Sequence, residues 1–472
     1  MSSTEVGRLF ANTSPADQQR FSPAEVFASG ERHHGISNTA YPIAHQKTFK
    51  PYRKTDGYHD LIRSSFLNQA DLCLYTHIPF CEKRCYFCEY TVVGKEESNQ
   101  TTVYMSALNQ ELQMYSDLLG SRKLVGFDIG GGTPSFVAAG LIADHIDQVN
   151  KLFDLDCEIS IETTPKIASL EPDKINAYYQ MGIRRISMGV QVTEPDLLKV
   201  LGRSDNGLDH HFKAVGHIRN AGFTKFNIDL MYGFAGQSIE SWQTTLQHAI
   251  AMQPDYITLY RMRYKLTRIS HHAERVDLDT VHRQSVMAYN LLSAAGYTAN
   301  PGKNTFSRLR NDCGTSSYLT RRVIQATPYL GIGLGAQSFG HNTISYNSGA
   351  AGKNLQPYLR RLAKQELPVQ DLYDLPVEHL MAKMIAVSFY FGEIHLDSFY
   401  ARFGISLEDA FADAVCYVLE HGLMQYRESE NGSELNLKNY RCLSLTEKGN
   451  HHFNGVISLF YAPSVQEYLI KS

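Results

Sequence analysis

The sequence lacks both a long apolar run and a large imbalance of charge. No hydrophobic stretch approaches the roughly 20 residues that a membrane-spanning helix needs. The formal net charge is −3 at pH 7, so the composition gives no electrostatic reason to expect nucleic acid or an anionic membrane as a partner. The polar start of the chain is also unlike a signal peptide. We therefore expect a cytoplasmic protein that binds neither nucleic acid nor membrane.

The chain has few cysteines, and most of them lie far apart in the sequence. Of the eight cysteines, five are isolated in the sequence: Cys73, Cys157, Cys313, Cys416 and Cys442. This spacing excludes a dense disulfide framework and is typical of a reducing compartment.

The other three cysteines, Cys81, Cys85 and Cys88, lie together in a loop that follows an apolar, strand-like run from Leu72. Three thiolates leave one iron of a 4Fe–4S cluster open to another ligand, whereas an electron-carrying cluster normally takes four cysteines. Two alternatives are that these cysteines are small buried apolar residues, or that two of them bind zinc with a remote histidine.

Short β-rich runs alternate with amphipathic helical stretches over the next part of the chain. The predicted strands are Leu72–His77, Val125–Gly130, Cys157–Glu162, Ile183–Met188, Lys225–Leu230 and Tyr256–Tyr260. The predicted helices are Thr102–Leu119, Ile142–Phe153, Lys174–Met181, His211–Ala221 and Ile239–Met252. Crossover helices imply parallel strands with right-handed connections. The pattern predicts a partly or fully closed (β/α) barrel with its chemistry at the carboxyl ends of the strands, although an open doubly wound sheet would show the same alternation.

Polar residues and glycines follow several of these strands. The second strand runs into Gly130-Gly131-Gly132-Thr133, where glycine lets the backbone approach a ligand closely. This is a weak signal by itself, because a tight turn would look the same. Glu162, Gln191 and Asp229 end the third, fourth and fifth strands, and Arg203 follows the fourth. A site at the top of a barrel presents such groups.

These motifs, taken in order, resemble those of the radical S-adenosylmethionine superfamily. The cysteine triplet after Tyr75-Thr76-His77-Ile78-Pro79-Phe80 resembles the branch that contains oxygen-independent coproporphyrinogen III oxidase. The resemblance covers roughly residues 70–260 and extends more loosely beyond. It implies a partial (β/α)6 barrel in an α/β protein, with an N-terminal arm over residues 1–69, a core over residues 70–350 and a helical, winged-helix-like domain over residues 351–472.

The resemblance also implies cofactors and the residues that bind them. Cys81, Cys85 and Cys88 would hold the 4Fe–4S cluster, with a catalytic role shared by Tyr75. Two S-adenosylmethionine molecules would bind per chain. Residues implied for the first are Tyr75, Gly131, Glu162, Ala336 and Gln337. Residues implied for the second are Phe87, Gly132, Thr133, Gln191, Arg203 and Asp229.

The activity implied is reductive cleavage of S-adenosylmethionine at the cluster, which generates a 5′-deoxyadenosyl radical. The leading substrate hypothesis is oxidative decarboxylation of the propionate side chains of a coproporphyrinogen III-like tetrapyrrole. One alternative is a methyltransferase of the same branch that uses the second S-adenosylmethionine as carbon donor, and another is a haem chaperone. A reductant such as flavodoxin or ferredoxin is implied as a partner, beside a small-molecule substrate.

Two segments differ from the oxidases. Their Cys-Gly-Cys string is replaced here by Cys88-Glu89-Tyr90, and the segment from Tyr260 to Lys265 is unusually basic. Arg261 and Arg263 are candidates for binding substrate carboxylates, because a guanidinium pairs with a carboxylate through two hydrogen bonds. A structural set of ion pairs would explain the same arginines equally well.

The remainder of the chain is predicted from pattern alone. A long helix is predicted over Val281–Ala295, and an Arg-rich loop is predicted over Pro301–Thr327. Helical segments follow at Leu355–Lys364, Val377–Phe389, Leu396–Phe403 and Leu407–His421. A hairpin is predicted from Leu423–Tyr426 and Tyr440–Leu445, around Asn431-Gly432.

Overall fold

The first part of the chain forms short elements that pack on later parts of the molecule. The computed structural model describes residues 21–32, 41–42, 44–67, 70–264, 267–310, 312–429 and 440–471. The first elements are α1 (Pro23–Arg32), α2 (His45–Thr48), β1 (Arg53–Lys54) and α3 (Tyr58–Phe66). The predicted N-terminal arm thus contains helices of 10 and 9 residues. Burial of Val26, Tyr41 and Phe49 places this segment in a folded core.

Six parallel strands alternate with helices in the next part of the chain. In chain order the elements are β2 (Asp71–Ile78), α4 (Thr101–Leu119), β3 (Lys123–Gly131), α5 (Ala139–Leu152), β4 (Asp154–Leu155), β5 (Ile159–Thr163), α6 (Pro165–Leu170), α7 (Pro172–Gln180), β6 (Ile183–Gln191), α8 (Pro195–Val200), α9 (Leu208–Asn220), β7 (Lys225–Tyr232), α10 (Ile239–Ala251) and β8 (Tyr256–Arg261). All six predicted strands and all five predicted helices are confirmed to within a few residues.

The parallel strands lie side by side in chain order, β2-β3-β5-β6-β7-β8. Successive side chains of a strand point to opposite faces. In β3, Phe127 and Ile129 are buried in the core under the helices, and Asp128 between them points into the barrel. In the described residues β8 pairs with β7 and β9 and not with β2, so the sheet is a partial barrel. This confirms the predicted α/β fold.

The segment after β8 first packs on α10 outside the sheet and then fills the bottom of the barrel. It comprises α11 (Leu278–Ala294), β9 (Thr305–Ser307) and α12 (Ser317–Ile324). Asp128 accepts a hydrogen bond of 2.6 Å from Ser316 Oγ, and Arg185 Nη2 donates one of 2.6 Å to the Gly314 carbonyl. The prediction of a loop over Pro301–Thr327 is therefore wrong for β9 and α12. Ser316 caps α12 by accepting from Leu319 N, and the inward side chains of the sheet hold the segment in place.

Four strands that follow in the chain extend the sheet beyond β2, and β1 pairs with the last of them at the edge. The elements are β10 (Tyr329–Ile332), β11 (Gln337–Phe339), β12 (Thr343–Asn347), α13 (Leu355–Ala363) and β13 (Val369–Asp374). Strand β10 pairs in parallel with β2, and the strands from β10 to β13 pair antiparallel. The sheet thus runs to Asp374, whereas the predicted boundary lies at residues 350 and 351. The division into domains stays a prediction.

The last part of the chain forms a second core of helices on a small sheet. Its elements are α14 (Val377–Ser388), β14 (Glu393–His395), α15 (Leu396–Phe403), α16 (Leu407–Ala410), α17 (Ala412–Glu420), β15 (Met424–Ser429), β16 (Tyr440–Leu445), α18 (Glu447–His451), α19 (Phe453–Ser458) and α20 (Pro463–Lys471). The predicted hairpin is confirmed in β15 and β16, with β14 as a third strand. Its predicted turn, Asn431-Gly432, lies outside the described residues. Within the described part of the chain, no helix combines the length and apolarity needed to cross a membrane.

Candidate cofactor and active site

The cysteine loop is fixed at the carboxyl end of the barrel by backbone hydrogen bonds from several directions. Thr133 N donates to the Phe80 carbonyl at 2.7 Å, which joins the loop to the end of β3. Tyr86 N donates to the Leu201 carbonyl at 3.0 Å, and Arg268 N donates to the Tyr86 carbonyl at 2.9 Å. Loops that follow three different strands therefore hold the cysteine segment at the edge where a barrel places its chemistry.

The three sulfurs are free thiols, partly buried, and two of them receive hydrogen bonds. Thr133 Oγ1 lies 3.5 Å from Cys81 Sγ, and Arg203 Nη1 donates to Cys85 Sγ at 3.3 Å. Hydrogen bonds to the ligand sulfurs are one of the means by which proteins tune iron–sulfur clusters. Burial raises the pKa of the Cys81 thiol to about 12, and a cysteine that binds metal does so as the thiolate.

The donor set fits a cluster better than a single ion. Among the described residues, no three His, Cys, Asp or Glu side chains converge as ligands of one metal ion would. Cysteines that bind separate irons of a cluster need not converge on one point. The alternative of a zinc site built on this triplet therefore has no support in the described residues.

The glycine segment packs directly against the cysteine loop. Gly131 has φ of +123°, and a Cβ there would lie 2.7 Å from the His77 ring. At Gly132 a Cβ would lie 2.6 Å from the Phe80 carbonyl oxygen. A side chain at either position would force the backbone away from the loop, so glycine is required at both.

The residues predicted for the first S-adenosylmethionine come together beside this segment. Gly131 N donates to Glu162 Oε2 at 3.1 Å. A Cβ added at Gly130 would lie 2.9 Å from Glu162 Oε1 and 3.1 Å from Tyr75 Cε2. Burial, and then the charge of Asp229, raise the pKa of Glu162 to about 8. Because its side chain is nonetheless open to water, Glu162 faces a solvent-filled space within the barrel.

Ala336 directly precedes β11 and Gln337 is the first residue of that strand, which pairs with β10, the neighbour of β2. Ala336 is buried. Gln337 accepts a hydrogen bond from Tyr329 OH, and its Nε2 donates to Tyr346 OH at 2.9 Å. The oxygen and the nitrogen of the Gln337 amide thus both form hydrogen bonds within the protein. Contact of Ala336 and Gln337 with the first cofactor stays a prediction.

The residues predicted for the second S-adenosylmethionine surround the ends of β6 and β7. Arg203 is buried and its Nη2 donates to the Gly189 carbonyl at 2.5 Å. Asp229 accepts hydrogen bonds from Ser187 Oγ at 2.9 Å and Asn227 Nδ2 at 2.8 Å. Burial raises the pKa of Asp229.

Two buried polar atoms of this group have no hydrogen-bond partner among the described residues: Gln191 Oε1 and Arg203 Nε. Gln191 also has φ of +71°, an unusual conformation for a residue with a side chain. Unsatisfied buried polar atoms are uncommon in folded proteins. A polar ligand bound beside the cysteine loop would satisfy them. Phe87 differs, since its ring packs edge-on against Phe234 at 6.1 Å.

The two arginines predicted for the substrate are separated by the structure. Tyr260 points into the barrel, so Arg261 next to it on β8 points to the helix side. There its Cγ would lie 3.7 Å from a Cβ added at Gly233. A role of Arg261 in binding carboxylates stays a prediction. Arg263 forms an ion pair with Glu89, which agrees with the alternative of a structural ion pair.

Sequence reasoning did not predict Tyr260 or Tyr390 as residues of the site, and it singled out Tyr90 only as part of a segment that differs from the oxidases. Glu162 and Asp229 both raise the pKa of Tyr90 and of Tyr260, which places these phenols near the predicted cofactor residues. The alternation of side chains along the sixth strand could have identified Tyr260, because it places this residue on the inner face of the sheet. Nothing in the local sequence brings Tyr390, which lies beyond α14, to the mouth of the barrel.

Comparison with known proteins supports this description. Residues 75–249 match the model of the radical SAM superfamily. The chain is 32% identical to the Haemophilus influenzae protein named heme chaperone HemW over 48% of this chain and 60% of the relative. It is also 32% identical to the oxygen-independent coproporphyrinogen III oxidase of Salmonella typhimurium, over 45% of this chain and 46% of the relative. These matches therefore span less than two thirds of each relative.

A solved structure shows the same fold. The coproporphyrinogen III oxidase HemN of Escherichia coli superposes with a TM-score of 0.72 at 22% identity, covering 89% of this chain and 96% of that one. The radical SAM domain, in turn, implies a 4Fe–4S cluster and S-adenosylmethionine. The chain thus contains a segment, residues 75–249, that matches the radical S-adenosylmethionine superfamily, and it is similar to the oxygen-independent coproporphyrinogen III oxidase branch of that superfamily.

Proposed function

We propose that this protein is a radical S-adenosylmethionine enzyme that oxidatively decarboxylates propionate side chains of a coproporphyrinogen III-like tetrapyrrole. The observation that carries the proposal is the convergence of the cysteine loop, the glycine segment and Glu162 at one end of the barrel. Two of the first curated relatives are named as oxidases, which supports the substrate class.

Each group at the site has a task in this proposal. When bound, the cluster and S-adenosylmethionine supply one-electron reductive cleavage and the hydrogen abstraction that follows from it. Cys81, Cys85 and Cys88 would hold the cluster. Glu162 would accept a hydrogen bond from the bound sulfonium cofactor or pair with its ammonium group. The walls of the barrel would exclude water from the reacting carbon.

A methyltransferase activity is a second candidate, favoured by the residues of the second cofactor set. Gln191 Oε1 and Arg203 Nε are free to bind a second S-adenosylmethionine, which would donate a carbon unit. Glu89 and Tyr90, which replace the oxidase string, add to this case because Tyr90 cannot serve as a thiol.

A haem chaperone is a third candidate, supported by the name of the Haemophilus influenzae relative. The chaperones carry a His-Asn-x-x-Tyr string before the Tyr329-Leu330-Gly331 stretch. In this chain His341-Asn342 lies after that stretch instead. Haem titration of the purified protein separates this candidate from the enzymes.

The test is anaerobic incubation of the reconstituted protein with coproporphyrinogen III, S-adenosylmethionine and dithionite, followed by mass spectrometry. Loss of two carbon dioxide units from the tetrapyrrole, with 5′-deoxyadenosine, is the expected result. S-adenosylhomocysteine beside 5′-deoxyadenosine would favour the methyltransferase. Cleavage of the cofactor with the tetrapyrrole unchanged would contradict the proposed substrate. Flavodoxin or ferredoxin in place of dithionite would test the implied partner.

A further inference from the structure

Arg322 carries a positive charge that no acidic side chain of the described residues pairs with. It lies on α12, the helix at the bottom of the barrel, and it is only partly exposed. None of the ion pairs in the described part of the chain includes it. Asp128, which faces the same segment, accepts a hydrogen bond from Ser316 Oγ at 2.6 Å instead. Because a charge removed from water without a counter-ion costs free energy, this position favours an anionic ligand.

Two tyrosine rings hold the Arg322 guanidinium in place. Its Cζ lies 5.3 Å from the centre of the Tyr318 ring and 4.8 Å from the centre of the Tyr329 ring. Its Nη1 also donates to Tyr318 OH at 3.0 Å. Cation–π contacts of this kind stabilise a guanidinium but bring no negative charge to it. The positive charge is therefore held in position and not neutralised.

One edge of this guanidinium has no partner within the described residues. Arg322 Nε is buried and accepts no contact from a hydrogen-bond acceptor, and no hydrogen bond of Nη2 is found among the described residues. Nε and Nη2 together form one of the two edges through which an arginine pairs with a carboxylate by two parallel hydrogen bonds. Unsatisfied buried donors are uncommon in folded proteins, so this edge is suited to a ligand with two acceptor oxygens.

A short series of contacts joins Arg322 to the residues predicted for the first S-adenosylmethionine. The centre of the Tyr318 ring lies 5.8 Å from that of Tyr75 on β2. Tyr75 in turn adjoins Glu162, because a Cβ added at Gly130 would lie 3.1 Å from Tyr75 Cε2 and 2.9 Å from Glu162 Oε1. Tyr318 and Tyr75 are thus the links between Arg322 and Glu162. The arginine lies below the predicted cofactor residues, on the side that faces the bottom of the barrel.

The second ring beside Arg322 is fixed to the extension of the sheet. Tyr329 OH on β10 donates to Gln337 on β11, whose Nε2 donates to Tyr346 OH on β12 at 2.9 Å. These bonds tie the ring to three neighbouring strands. A binding group that is already held in place loses little conformational freedom when its ligand arrives.

We propose that Arg322 binds a carboxylate of the substrate at the bottom of the barrel, beneath the cofactors. The inference rests on the proposed function, whose tetrapyrrole substrate carries propionate side chains. It assigns the carboxylate to an arginine without an acidic partner, whereas Arg263 already pairs with Glu89.

The experiment compares the binding of coproporphyrinogen III with that of its methyl ester, in which the carboxylates carry no charge. Each ligand is added anaerobically to the reconstituted protein with S-adenosylmethionine and no reductant, and bound ligand is quantified by fluorescence after oxidation to the porphyrin. We expect Arg322→Met to weaken binding of the acid about 30-fold and to leave binding of the ester within about 2-fold of the parent. Arg321→Met is the matched control, because this neighbouring arginine of α12 donates to Gln325 at 2.8 Å, and it should bind both ligands as the parent does.

Three results would overturn the proposal. They are a parent that does not bind coproporphyrinogen III, an Arg322→Met variant that binds the acid as the parent does, and equal losses for acid and ester, which would show a purely structural role. Iron content shows whether each variant keeps its cluster. If Arg322→Met fails to fold, Arg322→Gln, which keeps a hydrogen-bond donor, decides by the same comparison. Failure of the proposed function is seen separately, as a parent that binds coproporphyrinogen III and does not decarboxylate it when reductant is added.

Discussion

Arg263 forms an ion pair with Glu89, and each of these residues lies in one of the two segments where the chain differs from the oxidases. The two segments that differ from the oxidases are therefore joined by one ion pair. Its acidic residue follows the cysteine loop, and its basic residue follows the sixth strand. Their side chains are 28% and 40% exposed for Glu89 and Arg263 respectively, so water screens the pair only in part.

A double-mutant cycle should show that Glu89 and Arg263 stabilise each other. We expect Glu89→Gln and Arg263→Gln to be coupled by about 0.5–1 kcal/mol, the upper range for partly exposed ion pairs. The measurement is anaerobic urea unfolding of the parent, the single variants and the double variant. The control is the more exposed pair of Asp397 and Arg441, where we expect less coupling. If the changes in the free energy of unfolding at residues 89 and 263 were additive, the assignment of a stabilising ion pair would be contradicted.

The cluster should depend on three cysteines and on no others. Alanine at Cys81, Cys85 or Cys88 removes a ligand, so we expect loss of the broad visible absorbance and of iron and sulfide after reconstitution. Cys73→Ala and Cys157→Ala are the matched controls, because both thiols lie outside the cysteine loop. The assignment would be wrong if either control lost its iron while Cys85→Ala retained it.

Arg203 should be needed for the second S-adenosylmethionine. It contacts both Cys85 Sγ and the Gly189 carbonyl, and its buried Nε has no hydrogen-bond partner among the described residues. Isothermal titration of the parent should give a stoichiometry near two, and Arg203→Ala should reduce it toward one. Arg184→Ala, at an exposed arginine of β6 that stacks on Tyr179, should leave it unchanged. A stoichiometry of one in the parent would remove the second site.

Glu111 should make the stability of the protein fall as pH rises toward neutrality. Its carboxyl is buried and accepts hydrogen bonds from Tyr358 OH, Gly333 N and Asn347 Nδ2. Burial raises its pKa from 4.5 to about 7. The folded state therefore binds more protons than the unfolded state between about pH 4.5 and 7, and stability declines across that range.

Comparison of Glu111→Gln with the parent isolates this effect. The variant should gain stability relative to the parent as pH rises from about 5 to about 7.5, measured as the difference between thermal midpoints. The exposed Glu274→Gln is the control and should show no such trend. A constant difference across the range would mean that Glu111 does not titrate there.

The sequence predicted the parts of the fold that have a regular period. Short β-rich runs such as Ile183–Met188 alternate with amphipathic stretches, and this alternation placed the six strands and their helices. The segment around α12 was missed because its structure depends on distant partners. Ser316 and Gly314 are held by Asp128 and Arg185 on inward faces of the sheet, and no local pattern records such contacts.

The residues of the candidate site likewise divide into those that the local sequence predicts and those that it does not. Residues in contiguous motifs, such as Cys81 and Gly131, could be predicted because motif and geometry share one stretch of chain. Arg263 pairs with Glu89 only after the barrel has formed, because the two residues lie far apart in the sequence. The orientation of Arg261 depended on where β8 ends, which is the least certain part of any strand prediction.

The central claim is that the cysteine loop and the glycine segment together support reductive cleavage of S-adenosylmethionine. The most direct measurement is the yield of 5′-deoxyadenosine and methionine after anaerobic incubation of the reconstituted protein with S-adenosylmethionine and dithionite. We expect both products in equal amounts from the parent and neither from Cys85→Ala. A fully iron-loaded parent that forms no 5′-deoxyadenosine, or a Cys85→Ala variant that forms as much as the parent, would contradict the account.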